Sequence, residues 1–141
     1  MPKTASASDV IAFWFDEATP EQWYKKDQAF DDAIRNRFGD TIEAALAGRL
    51  DKWADEVETC MALIILLDQF TRNIHRDTPR AFSGDEMALA LSLRCIDRGF
   101  IDHPEATWRQ FMLMPMMHSE DIGIQDRSIP LFEEHTNPLR L

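Results

Sequence analysis

Cysteine and glycine are scarce in this chain: two cysteines and five glycines in 141 residues. Cys60 and Cys95 each sit in an apolar helical pattern. They read as buried free thiols, consistent with a reducing cytoplasm, and so far apart they give no zinc spacing. The glycines and seven prolines are too few for a low-complexity or collagen-like chain. No apolar run approaches the roughly 20 residues that span a bilayer. The longest is Cys60 to Leu67, and the N-terminus lacks the apolar core of a signal peptide. The expectation is therefore a cytoplasmic protein. Basic residues are outnumbered, 15 against 25 acidic, for a net charge of −10. That balance argues against non-specific binding to nucleic acid or to an anionic membrane. Also missing are a Gly-rich phosphate loop, a His-Glu-x-x-His pair and a nucleophile elbow. Neither a cofactor nor a metal is expected.

What remains is ordinary globular composition, 45% hydrophobic and 28% charged, in a length that suits one domain over residues 1–141. The stretch from Cys60 to Arg76 organises it. Its first eight residues are apolar without a break, so that part is buried all round. From Leu63 through Leu67, Phe70 and Ile74 the apolar residues keep helical spacing, while Asp68, Arg72 and Arg76 form a charged stripe at intervals of four. The helix is expected to start near Asp55 and end near Arg76, stopped by Asp77-Thr78-Pro79.

The other elements also read as helices. Ser8 is placed to cap the first, which carries Val10, Phe13 and Trp14. Thr19-Pro20-Glu21-Gln22 is a capping box with proline at the first helical position. A longer helix starts at Asp27 and buries Phe30, Ile34 and Phe38; Gly39 is expected to interrupt it, with a fresh capping box at Asp40 and a stop at Gly48. Later helices open near Ser83, Asp102 and Ser119. A break or kink is expected at Pro115 and a kink or fresh start near Ser128 ahead of Pro130, with Ile122, Ile129 and Phe132 facing inward and residues 136–141 frayed. The sum is an all-α fold of about six to eight helices, in antiparallel hairpins because the connections are short.

Two clusters could carry chemistry. Around Asp68, Gln69, Arg72, Asn73 and Arg76, arginine forks could hold a carboxylate or phosphate. The alternative is a structural ion-pair network, Arg72 joining Asp68 and either Glu120 or Asp121. In the second cluster, His118 beside Glu120 and Asp121 could serve acid–base or metal chemistry, though acids in a first helical turn are also what capping prefers. Met112, Met114, Met116 and Met117 suit core filling at an irregular break or an adaptable partner groove.

Phe13-Trp14-Phe15, the run Leu63 to Ile74, Arg80-Ala81-Phe82 and Met114-Pro115-x-x-His118-Ser119-Glu120-Asp121 together resemble a bacterial family called domain of unknown function 924. The resemblance covers nearly the whole chain. It implies an all-helical, tetratricopeptide-like fold and no particular activity. Members usually carry proline where Thr71 stands, and continue past the position of Leu141 into a second basic motif. If the two motifs build one site, this chain holds half of it, or another subunit completes it.

The functional expectation is a binding module for a peptide or small anionic ligand, through a polar face around Asp68–Arg76 and His118–Asp121. The alternatives are a small acid–base or metal-assisted hydrolase using the same residues, and a structural or assembly protein. The expected state is monomer or homodimer.

Overall fold

From Cys60 to Phe70 every residue is buried in the computed structural model, which describes residues 4–136. All but the first residue of the tail expected to fray, residues 137–141, lie outside that range; Thr136 itself closes the last helix. The α-helical segments are α1 (Ala7–Ile11), α2 (Pro20–Tyr24), α3 (Gln28–Leu46), α4 (Val57–Ile64), α5 (Thr71–Ile74), α6 (Asp85–Asp97), α7 (Ala106–Met117) and α8 (Ile122–Thr136). A π-helical stretch, Ala12–Glu17, extends α1, and another, Ile65–Phe70, joins α4 to α5. The described residues thus form seven continuous helices and no strand, an all-α fold.

The chain divides into two compact units, one ending at Gly84 and the other beginning at Asp85. In the first, the two π-helical stretches meet through aromatic rings. Phe13 and Trp14 pack edge-on against Phe70, centroids 5.9 and 5.7 Å apart, and Phe38 lies 5.1 Å from the same ring. Each such pair adds about 0.5–1.5 kcal/mol to what burial alone supplies. A π turn slips the backbone ladder by one residue. The Thr71 hydroxyl takes up part of that slack, donating to the Leu67 carbonyl at 2.9 Å.

Helix α3 supplies three adjacent stripes. Phe30, Ile34 and Phe38 are its buried line, as the spacing predicts. On one side of that line lie Ala29, Ala33 and Arg37; on the other, Asp31 and Arg35 turn to α5. Gly39 does not interrupt α3. Phe38, Ile42 and Ala45 are buried on both sides of it, and their packing outweighs the roughly 1 kcal/mol that a mid-helix glycine costs. Gly48 does end the helix, at φ +79°. The first cap is also corrected: Ser6, not Ser8, caps α1, because Asp9 three residues on completes its box. Thr19 and Gln22 form the expected box at α2.

In the second unit α6 packs on α7 and α7 on α8. Arg109, in the first turn of α7, donates to the carbonyl of His135 in the last turn of α8 at 2.5 Å, so these two run antiparallel. Neither proline ends its helix. α7 continues through Pro115, clamped by buried Phe111, Met112, Leu113 and Met116. α8 continues through Pro130, which is exposed, as is Asp126, the residue whose carbonyl the proline leaves without a helical N–H. The phase of α8 also differs from expectation. Ser128 is its buried residue, whereas Ile122 and Ile129 are 71% and 58% exposed.

Candidate functional site

The polar half of the organising helix lies where π-helical Ile65–Phe70 gives way to α5. Asp68 is fully buried. Its Oδ2 accepts from Gln69 Nε2 at 2.9 Å, and Arg72 Nη1 reaches both its Oδ1, at 3.3 Å, and its backbone oxygen, at 2.5 Å. This is the acid-before-base pairing that the spacing predicts.

Arg76 behaves differently from the expected stripe. The helix ends at Ile74 and His75 leaves the helical conformation, φ −118° and ψ 27°, so Arg76 is no longer in helical register with Arg72. It reaches instead to Asp31 on α3. Nε lies 2.6 Å from Oδ2 and Nη2 3.2 Å from Oδ1, while Asn73 Nδ2 donates to the same Oδ1 at 2.8 Å. The Asp31 hydrogen bond, ahead of any loss from burial, raises the Arg76 guanidinium above its ordinary value. Asp31 is missing from the sequence-based site. It lies 45 residues away, and its one signal was a charge beside the buried line of α3.

Both arginines keep an outer side. The side chains of Arg72 and Arg76 are 23% and 32% exposed, against 0% and 4% for their carboxylate partners. Phe82, itself 60% exposed, sits with its ring 5.4 Å from the Arg72 guanidinium. At the end of α5, His75 has its Nε2 buried with no hydrogen-bond partner. Burial first, then Arg80 and Arg35, push its imidazole below the ordinary value against an opposing pull from Glu43.

The other predicted residues belong to the second unit. Asp121 is the cap of α8, its Oδ1 accepting from the backbone of Gly123 at 2.8 Å and of Ile124 at 3.3 Å. The helix therefore starts two residues later than a Ser119 cap would give, and Ser119 Oγ accepts from Asp121 N instead. Glu120 is exposed and His118 half-buried. Among the described residues no group of three or more His, Cys, Asp or Glu is placed to hold a metal. Two open hollows of the first unit, about 340 and 530 Å³, lie beside Phe13 and Arg37 and beside Lys25 and Lys26; none of the predicted residues lines either. No described helix is long and apolar enough to cross a membrane.

Nothing matches among curated proteins. Among solved structures, a protein of unknown function from Agrobacterium tumefaciens is similar, with 36% sequence identity and a TM-score of 0.87. The likeness covers 96% of this chain and 76% of that one. A family model described as "Bacterial protein of unknown function (DUF924)" matches residues 10–140. With nearly the whole length matched to that model, the chain belongs to the bacterial DUF924 family.

Proposed function

We propose that this protein is a binding module, taking a peptide or small anionic ligand on the face of the first unit formed by Arg72, Arg76 and Phe82. One observation carries the reading: each arginine is pinned by a buried carboxylate while its own side chain stays partly exposed. Arg76 spends Nε and one Nη2 hydrogen on Asp31, so its Nη1 edge is available to an incoming anion. A guanidinium fixed in advance loses less freedom on binding than one recruited from solution. Phe82 adds the exposed aromatic surface that accompanies arginine at recognition sites. Asp68, Gln69 and Asn73 are 9% exposed or less and serve as the supporting layer.

The hydrolase alternative draws less support, because Asp68 is sealed from solvent and its carboxylate is already occupied by Gln69 and Arg72. A structural role for the inner network does have support, and it coexists with binding on the outer edge.

Thermal denaturation with sulfate, citrate and a short oligoglutamate peptide tests the proposal. A ligand at 100 times its dissociation constant adds about 2.7 kcal/mol, a readable shift. Phe82→Ala should weaken that shift and leave the ligand-free melting temperature in place. A melting temperature that none of the three ligands moves would overturn the proposal.

A further inference from the structure

Resting on the binding reading above, we infer that an anion bound beside Phe82 also engages Arg80, on the same turn Pro79–Phe82, in place of Glu43, and that the displaced Glu43 turns to His75, which takes up a proton as the ligand binds. The starting point is an imbalance around His75. Its backbone oxygen is doubly satisfied, accepting from Thr78 N at 3.0 Å and Thr78 Oγ1 at 2.7 Å. Its side-chain Nε2 is buried and has no partner. A buried polar atom left in that state carries the full cost of its lost water.

Three charged groups act on the imidazole: Arg35 and Glu43 from α3, and Arg80 from the turn Pro79–Phe82. They are not equally free to move. Arg35 is anchored twice, through Nη2 to the Ile74 carbonyl at 2.7 Å and through Nη1 to Asp32 at 3.1 Å. Arg80 and Glu43 hold each other through a single nitrogen, at 2.8 and 3.2 Å, and their side chains are 59% and 55% exposed. Pairs of that kind are held weakly and exchange readily. An external anion therefore competes with Glu43 for Arg80 on nearly equal terms, while the Arg35 end stays in place.

The exchange resolves the imbalance. With Glu43 on Arg80, burial and two guanidiniums hold the His75 imidazole below its ordinary value against the pull of Glu43. With the ligand on Arg80, Glu43 is released toward an imidazole whose buried Nε2 lacks a partner, and a carboxylate so placed favours the protonated form. One proton passes from solvent to His75 for each anion bound, and no covalent bond changes. By linkage the affinity rises as pH falls, by up to about tenfold per pH unit between the free and bound titration ranges of His75. This makes Arg80 part of the site and couples Glu43 and His75 to it without placing either against the anion.

Calorimetric titration with sulfate tests the exchange, because sulfate keeps its charge across the titration range of histidine. Repeating it in two buffers of different ionisation enthalpy counts the protons. The expected result is uptake approaching one proton per sulfate just below neutral pH. His75→Gln should still bind sulfate, with no uptake and no pH dependence. Glu43→Gln should bind at least as tightly, since the competitor for Arg80 is weakened, and likewise without uptake. Sulfate binding without uptake by the unaltered protein, or uptake that survives in His75→Gln, would overturn the exchange and leave the binding face standing. Absence of sulfate binding at every pH would overturn the exchange, and the binding face falls with it if citrate and oligoglutamate also leave the melting temperature in place.

Discussion

Arg76 holds Asp31 with two hydrogen bonds, 2.6 and 3.2 Å, across 45 residues of chain. The carboxylate is almost wholly buried and the guanidinium about a third exposed. Removing the cation leaves a buried charge with Asn73 as its remaining described partner. Breaking a fully buried pair costs about 3–5 kcal/mol; the exposure of Arg76 lowers the expectation for Arg76→Met to about 2–3 kcal/mol. Urea denaturation measures it. The double variant Asp31→Leu with Arg76→Met should recover much of the loss, because no unpaired charge then remains.

Two glycines should respond in opposite directions. A Cβ on Gly84 would lie 2.3 Å from the Leu67 carbonyl oxygen and 3.0 Å from two more backbone atoms, none of which can swing aside. Gly84→Ala should cost about 3 kcal/mol, at the upper end of overpacking effects. A Cβ on Gly39 meets nothing within 4 Å. Gly39→Ala should stabilise by about 0.5–1 kcal/mol, through helix propensity and a less free unfolded chain. Thermal melts of the two variants should bracket that of the parent.

Acid should weaken the fold through His75. The folded imidazole titrates below its ordinary value of 6.5, burial being the first cause, so the unfolded chain binds the proton more readily. The contribution is complete above 6.5 and is lost as pH falls through that value toward the lowered folded one. Urea midpoints measured without added anion should decline over this window, and His75→Gln should decline less steeply.

Ile129 provides a check on the phase of α8. It is 58% exposed, so Ile129→Gln should change stability by no more than about 0.5 kcal/mol. Burial of this side chain would instead make the same change cost about 2 kcal/mol or more.

Much of this architecture was legible residue by residue. The run Cys60 to Leu67 announces its own burial, since an unbroken apolar helix has no polar face to show solvent. Thr19 with Gln22, Asp27 and Gly48 mark helix ends because caps use local chemistry within a few residues. Gly39, Pro115 and Pro130 carry real local costs that do not end their helices, and the neighbouring burial that outweighs the first two does not show in a propensity. Ile122 and Ile129 misled because an apolar side chain in a helix is expected to face a core.

The candidate site divides along the same line. Asp68 and Arg72 stand four residues apart on one helix, and helical geometry alone brings them together. Spacing alone groups Arg76 with them, but it pairs with Asp31, because the helix ends at Ile74 and His75 leaves the helical conformation. Its partner Asp31, the ring of Phe82 over Arg72 and the pair of Arg80 with Glu43 all depend on which helices pack. Periodicity and capping are short-range and can be read along the chain. Pairing between charges on separate helices is settled by the packing of their apolar faces, and only the folded unit contains that information.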